Sequence, residues 1–387
     1  MRVCFETFGC RLNRAEALEM EAGFIAAGWQ KTFKHSDADL IVVRGCSVTA
    51  RAQRDSERLI AHIRAKYPMK RIIVAGCLPD AGKSAKALRL PEKTGVPSST
   101  ARAYLKVQDG CDSQCSFCIV PKFRGKASSV PFAHCLDKAK AFAEAGYHEL
   151  VVTGCNLVQY CSEGKFLPEL VGALASLDPS VRVRVGSVGP GRVVEEFVDV
   201  MAENPNVCRF LHLSVQSGST RILSAMRRGY TGKDLDEFLF RLERKLPDCG
   251  LGCDLITGFP GETDMDFAAT LELVKRHRFN LLHVFPYSER QGTRAASFPD
   301  SIPPEMRKDR ARMIAREGDL KRRSFVKSFL GKTVEIVVED ESKIAGWTSE
   351  YVWCEAINPL AKTVRRKDRV KVSVRTVHGE TLSGAVV

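Results

Sequence analysis

The chain has 387 residues, 44% of them hydrophobic, with 14 cysteines and a formal net charge of +13. That length calls for two or three domains, and the hydrophobic share excludes a largely disordered chain. No uncharged apolar run reaches the roughly 18 residues of a membrane span, and the first residues lack a signal-peptide pattern. A cytoplasmic protein with no membrane partner is therefore expected. In a reducing compartment clustered thiols point to metal or redox chemistry rather than disulfides. The positive charge favours a polyanionic partner such as nucleic acid.

In chain order, a strand-like run ends in Gly-Cys three times. Residues 3–8 precede Gly9 and Cys10, residues 40–43 precede Gly45 and Cys46, and residues 72–75 precede Gly76 and Cys77. Helical periodicity follows over 15–27 and 50–66, which predicts right-handed crossovers and a parallel sheet. In such sheets ligands bind at the carboxyl edge, where all three cysteines would sit. They could ligate a metal there or pack as small apolar side chains. Residues 79–99 read as a linker or an abbreviated last unit.

A longer alternation begins at residue 104. Strands are expected over 104–108, 149–153, 181–185, 210–215, 251–257 and 281–286, with helices over 133–145, 193–202, 234–246 and 264–277. Six βα units suit a partial barrel better than an eightfold one. Residues 304–330 are helix-compatible and basic, carrying Arg307, Lys308, Arg310, Arg312, Arg316, Lys321, Arg322 and Arg323. From residue 331 short β-rich runs (333–338, 351–355, 369–375) predict a small all-β barrel.

The strongest chemical signal is Cys111-Asp-Ser-Gln-Cys115-Ser-Phe-Cys118, directly after a predicted strand. Three thiolates in one loop can each bind one iron of a 4Fe–4S cluster. The fourth iron is then open to the amino and carboxylate groups of S-adenosylmethionine. A structural zinc site would need a fourth local Cys or His, and none is adjacent.

This spacing within six βα units resembles the radical S-adenosylmethionine superfamily. The stretches Phe5 to Asn13, His212 to Ser219, Met226 to Thr231, Ile256 to Glu262 and Phe285 to Thr293 resemble its methylthiotransferase family. They are most similar to the branch acting on threonylcarbamoyladenosine in tRNA. The resemblance implies an α/β protein in three parts. These are an N-terminal parallel-sheet domain (1–95), a partial (β/α)6 radical barrel (100–303), and, after a basic helical linker (304–330), a TRAM-like RNA-binding β-barrel (331–387).

It further implies two 4Fe–4S clusters, one on Cys111, Cys115 and Cys118 and one on Cys10, Cys46 and Cys77. S-adenosylmethionine would serve as methyl donor and radical source. Thr153, Gly154, Cys155 and Asn156 occupy the slot of a loop that receives the methionine amino group. Gly258, Phe259 and Pro260 resemble a segment along the adenine, and Ser187 and Gln216 are further candidates for polar contacts to the cofactor.

The expected reaction is methylthiolation of carbon 2 of threonylcarbamoyladenosine beside the tRNA anticodon. Isopentenyladenosine, or an aspartate of a ribosomal protein, is an alternative substrate. A reading of another class is a non-catalytic redox-sensing RNA-binding protein.

Around Trp347, Tyr351 and Trp353, aromatics near the basic run Lys362, Arg365, Arg366, Lys367, Arg369 and Lys371 suit base stacking and phosphate contact. Cys4, Cys135, Cys161, Cys208, Cys249, Cys253 and Cys354 are expected in cores, and Cys155 as a bystander facing the cavity. Four places depart from the family pattern, one being the stretch of only about thirty residues between Cys77 and Cys111, shorter than is usual. Arg44-Gly45-Cys46 replaces the usual Asn-Thr-Cys, Leu78-Pro79-Asp80 follows the third cysteine, and Val188-Gly189-Pro190 lacks a frequent Glu.

Overall fold

A continuous apolar run with β-branched residues gives the strand Leu40–Gly45, buried along its whole length because helices cover both faces of its sheet. The computed structural model describes residues 1–79, 81, 96–97, 99–358 and 363–387; Asp80, most of the expected linker and Lys362 lie outside them. The N-terminal sheet runs Gln30–Lys31, Arg2–Thr7, Leu40–Gly45, Arg71–Gly76, all parallel. The two-residue edge strand has too little pattern to be seen in sequence. Helices Arg11–Ala26 and Ala50–Lys66 cross over between strands.

Six parallel strands follow, in the order expected of a partial barrel. Ala103–Lys106, Glu149–Thr153 and Arg182–Val185 form one sheet; Phe210–Gln216, Gly250–Thr257 and Leu281–Pro286 form the other. Parallel bridges Val183–Val207 and Val188–Leu213 join the two into one arc. Strand residues such as Leu150, Val152, Val183, Leu213 and Leu255 pack outward against helix residues Phe142, Leu170, Phe197 and Leu239. The alternate residues, Glu149, Arg182, Arg184, His212 and Asp254 among them, are left for the inner face.

Helix Pro304–Lys327 leads to a closed five-stranded barrel of Thr333–Asp340, Ala345–Thr348, Trp353–Ile357, Arg369–His378 and Thr381–Val386. Four basic side chains of this helix bond groups outside it. Arg310 is buried against Glu262 (2.7 Å) and Asp264 (2.6 Å). Arg322 bonds the Tyr351 carbonyl, Lys321 the carbonyls of Lys275 and His277, and Arg307 those of Ile302 and Tyr287. Sequence counts charges but does not say which are paired within the fold.

The terminal barrel is bolted to the catalytic barrel through one buried acid. Glu149 accepts from Arg182 Nε (2.6 Å) and Arg184 Nε (2.8 Å). Those guanidinium groups reach on to the main-chain carbonyls of Glu335, Trp347, Thr348 and Ser349. Burial alone would raise the Glu149 carboxyl, but Arg182, Arg184 and Arg102 hold it far below its ordinary range.

Two expectations need correcting here. Tyr351 is not free for base stacking, since it stacks on Trp347 at 4.4 Å and on Phe210 at 4.8 Å. Arg366, Lys367 and Arg369 bond the carbonyls of Ser99, Ala145 and Ser180, so much of the basic run is a docking surface.

Candidate functional site

Parallel strands in register carry the three Gly-Cys turns to one edge. Thr7 pairs with Arg44 and Gly45 with Gly76, so Cys10, Cys46 and Cys77 leave the sheet side by side. Gly9 has φ +90°, and a Cβ there would lie 2.8 Å from the Cys46 sulfur, so only glycine lets these turns close up. Asn13, almost wholly buried, donates to the carbonyls of Phe8 (2.9 Å) and Gly45 (2.8 Å). Its own oxygen accepts from Arg124 (2.9 Å), so one side chain ties two cysteine turns to the barrel.

Arg124 ends the short helix Val120–Arg124 just past Cys118. Its Nε lies 3.1 Å from the Cys77 sulfur, and its other nitrogens bond Glu16 and Asp109. Lys106 bonds the same two acids at 2.6 Å each, and Arg44 pairs with Glu16. Three cations on two carboxylates leave one positive charge, which a Cys77 thiolate would balance. Arg44, the departure from the family pattern, is thus absorbed into this network.

The loop Cys111–Cys118 is held as tightly. Wholly buried Gln108 donates to the carbonyls of Asp109 and Gly110 (2.8 Å each) and accepts from the Asn156 amide (2.7 Å). Asn156 Nδ2 in turn lies 3.4 Å from the Cys111 sulfur. Arg228 donates to the Cys115 sulfur (3.2 Å) and to the Ser214 carbonyl (2.9 Å), and bonds the Tyr230 hydroxyl (2.8 Å). Gln108, Arg124, Arg228 and Asn13 were not singled out in the sequence. Arg228 and Asn13 lie within quoted motifs, but nothing in spacing shows that they face sulfur.

The donor chemistry fits iron–sulfur clusters. Burial raises the Cys46 and Cys77 thiols, and pushes Cys118 up to about 11, so these sulfurs need a cation to become thiolates. Bound metal supplies that charge outright, and N–H donors aimed at sulfur are among the levers that tune such clusters. The Ser47 hydroxyl, next to Cys46, is fully buried with no partner among the described residues. An acceptor such as a cluster sulfide would satisfy it.

The remaining expected residues fall into two groups. Thr153 is buried, while Gly154, Cys155 and Asn156 line the turn beside Cys111. Burial and then the neighbouring Cys111 push the Cys155 thiol up to about 12, which places it beside the triad as a protonated thiol. Gly258 (φ +67°) donates to Glu262 (3.0 Å). The Phe259 ring is wholly buried with Ile222, Met226 and Tyr287, so it contributes packing. Ser187 is exposed and Gln216 is nearly buried at φ +74°; neither is brought to the cysteines by a hydrogen bond among the described residues. Of the cysteines expected in cores, Cys161 is exposed, because its two-residue hairpin strand packs nothing over it.

No helix among the described residues is long and apolar enough to cross a membrane. Residues 105–274 match the radical SAM superfamily and residues 2–95 the family described as "Uncharacterized protein family UPF0004". The chain is 32% identical to the tRNA-2-methylthio-N(6)-dimethylallyladenosine synthase of Chlorobium limicola, covering 87% of this chain and 86% of that protein. It is 30% identical to the threonylcarbamoyladenosine tRNA methylthiotransferase MtaB of Thermotoga maritima, covering 99% and 98%. The Aquifex aeolicus MtaB is 29% identical over 91% and 96%. In fold the chain is similar to the radical S-adenosylmethionine methyltransferase TsrM of Kitasatospora setae. There the TM-score is 0.53 at 14% identity, covering 76% of this chain and 75% of that one. An enzyme that uses a 4Fe–4S cluster with S-adenosylmethionine and transfers a sulfur-containing group is therefore established, and the chain belongs to the radical S-adenosylmethionine methylthiotransferase family.

Proposed function

We propose that this enzyme methylthiolates carbon 2 of threonylcarbamoyladenosine next to the anticodon of tRNA. Cys111, Cys115 and Cys118 would hold the cluster, which together with S-adenosylmethionine would supply the radical chemistry. Cys10, Cys46 and Cys77 would hold a second cluster, which would supply the sulfur. The observation behind this pairing is Arg124, which follows Cys118 in the barrel loop and donates to Cys77 on the facing sheet edge. Two thiol triads thus meet at one junction, as transfer from one site to a radical made at the other requires.

The chain's own residues have definable tasks there. Asn156 and Arg228 steady the cysteine sulfurs, Gln108 fixes the two strand-end loops to each other, and Asn13 fixes the sheet edge. The net charge of +13 and the tRNA-modifying relatives support tRNA as substrate. An adenosine in the open anticodon loop costs little to unstack. The Chlorobium relative supports a second reading, with isopentenyladenosine as the target.

Mass spectrometry of tRNA nucleosides from a deletion strain tests both. Loss of the methylthio derivative of threonylcarbamoyladenosine is expected; loss of the isopentenyl derivative alone moves the substrate to the second reading, and no change sinks both. Reconstituted protein should carry about eight iron atoms per chain, falling to about half in Cys10→Ala, and should form 5′-deoxyadenosine under reduction.

A further inference from the structure

Where the N-terminal sheet, the catalytic barrel and the terminal barrel meet, arginines crowd around Tyr351. Tyr351 has φ +64° on the turn between Ala345–Thr348 and Trp353–Ile357, and its ring lies against Phe210 at the start of a catalytic-barrel strand. The guanidinium groups of Arg184 and Arg11 approach that ring at 5.2 and 5.4 Å.

Four arginines of this junction are matched by acids. Arg184 and Arg182 share Glu149, Arg102 reaches Glu149 and Glu339, and Arg322 reaches Glu380. Nearer the cysteine turns, Arg44 and Arg124 share Glu16. Arg11 differs. It has no carboxylate partner among the described residues, is half-buried, and immediately follows Cys10. A guanidinium held at the Tyr351 side chain by a hydrogen bond, and without a carboxylate partner among the described residues, is pre-organised for an oxyanion from outside, since its planar fork matches a carboxylate with two hydrogen bonds.

We propose that Arg11 is the substrate-specificity residue of this enzyme, binding the carboxylate carried by the substituent of the target adenosine. The inference rests on the proposed reaction, because it assumes an RNA base delivered to the Cys10 side of the junction. Such a base brings its substituent past the residue next to Cys10. A carboxylate-bearing substituent gives Arg11 the charge pairing that Arg102, Arg182, Arg184 and Arg322 already have. An apolar one leaves Arg11 without a counter-charge and partly stripped of water, which disfavours it. The other oxyanion available in the same ligand is a backbone phosphate, which would engage Arg11 whatever the base carries.

The test uses the reconstituted full chain and three anticodon stem-loops. They carry threonylcarbamoyladenosine, its methyl ester, or isopentenyladenosine. Arg11→Gln is expected to weaken binding of the acid-bearing RNA about 10- to 100-fold, to leave the other two unchanged, and to be partly rescued in Arg11→Lys. Wild-type protein should likewise bind the ester about 10- to 100-fold more weakly than the acid. This comparison needs no variant and stands even if Arg11→Gln fails to load iron. Equal weakening for all three RNAs would assign Arg11 to a phosphate and overturn the proposal, as would no weakening for any. Failure of the underlying reaction shows separately, as absence of methylthio product from wild-type enzyme on the acid-bearing RNA.

Discussion

Asn13 offers two N–H donors and one carbonyl, and all of them are engaged inside the protein: with Phe8, with Gly45 and with Arg124. Alanine there would strand two buried carbonyls beside the cysteine turns. Asn13→Ala should therefore lower stability by about 2–4 kcal/mol in urea unfolding, with iron at the N-terminal site falling in parallel. If iron and stability are both unchanged, Asn13 does not position that site. The cysteines themselves were legible because six of them stand at strand ends in repeated or closely spaced patterns. Their supporting residues were not, since Gln108 and Arg228 reach sulfur sites through contacts far apart in sequence. Cys161 shows the opposite failure: its type suggests burial, but a surface hairpin leaves it exposed.

The turn between Gln108–Asp109 and the radical loop depends on Gly110, at φ +66°, where a Cβ would run into the Lys126 carbonyl. Gly110→Ala should cost about 1–3 kcal/mol of backbone strain and displace Cys111. The expected readout is loss of iron from the barrel site and of 5′-deoxyadenosine, with iron at the N-terminal site retained. Full iron loading and normal 5′-deoxyadenosine would show that the turn tolerates the change. The elements themselves were largely visible. Glu149–Thr153 and Leu281–Pro286 have the expected bounds, and Ala50–Lys66 begins where Thr49 caps it (3.1 Å). What periodicity missed were short strands such as Gln30–Lys31, and those whose pairing is set by the closing barrel, Ala345–Thr348 and Thr381–Val386. Helix Pro304–Lys327 was found with its composition, but its role as a brace follows from Arg310 and Arg322 meeting acids in other elements.

At the scale of the whole molecule, the three parts are joined by charge buried at their junctions. Glu149 is completely buried, and its folded carboxyl lies well below the ordinary value of 4.5. A depressed carboxylate contributes stability that is present in full above its unfolded pKa and is lost as pH falls through the folded one. Glu149→Gln should cost about 3–5 kcal/mol near neutral pH by leaving arginines uncompensated. It should also lose less stability than wild type between about pH 6 and pH 3, measured by thermal melts. Parallel pH curves for the two proteins would refute the assignment.

The way this junction is gripped has a consequence for how the enzyme can diverge. Arg182 and Arg184 hold the terminal barrel by its peptide carbonyls at Glu335, Trp347, Thr348 and Ser349, not by those residues' side chains. Every amino acid except for its conformational preferences presents the same carbonyl, so this attachment is blind to most substitutions in the barrel. The barrel's outward surface can drift, or be exchanged for that of another barrel of the same backbone, while the seat on the catalytic half stays intact.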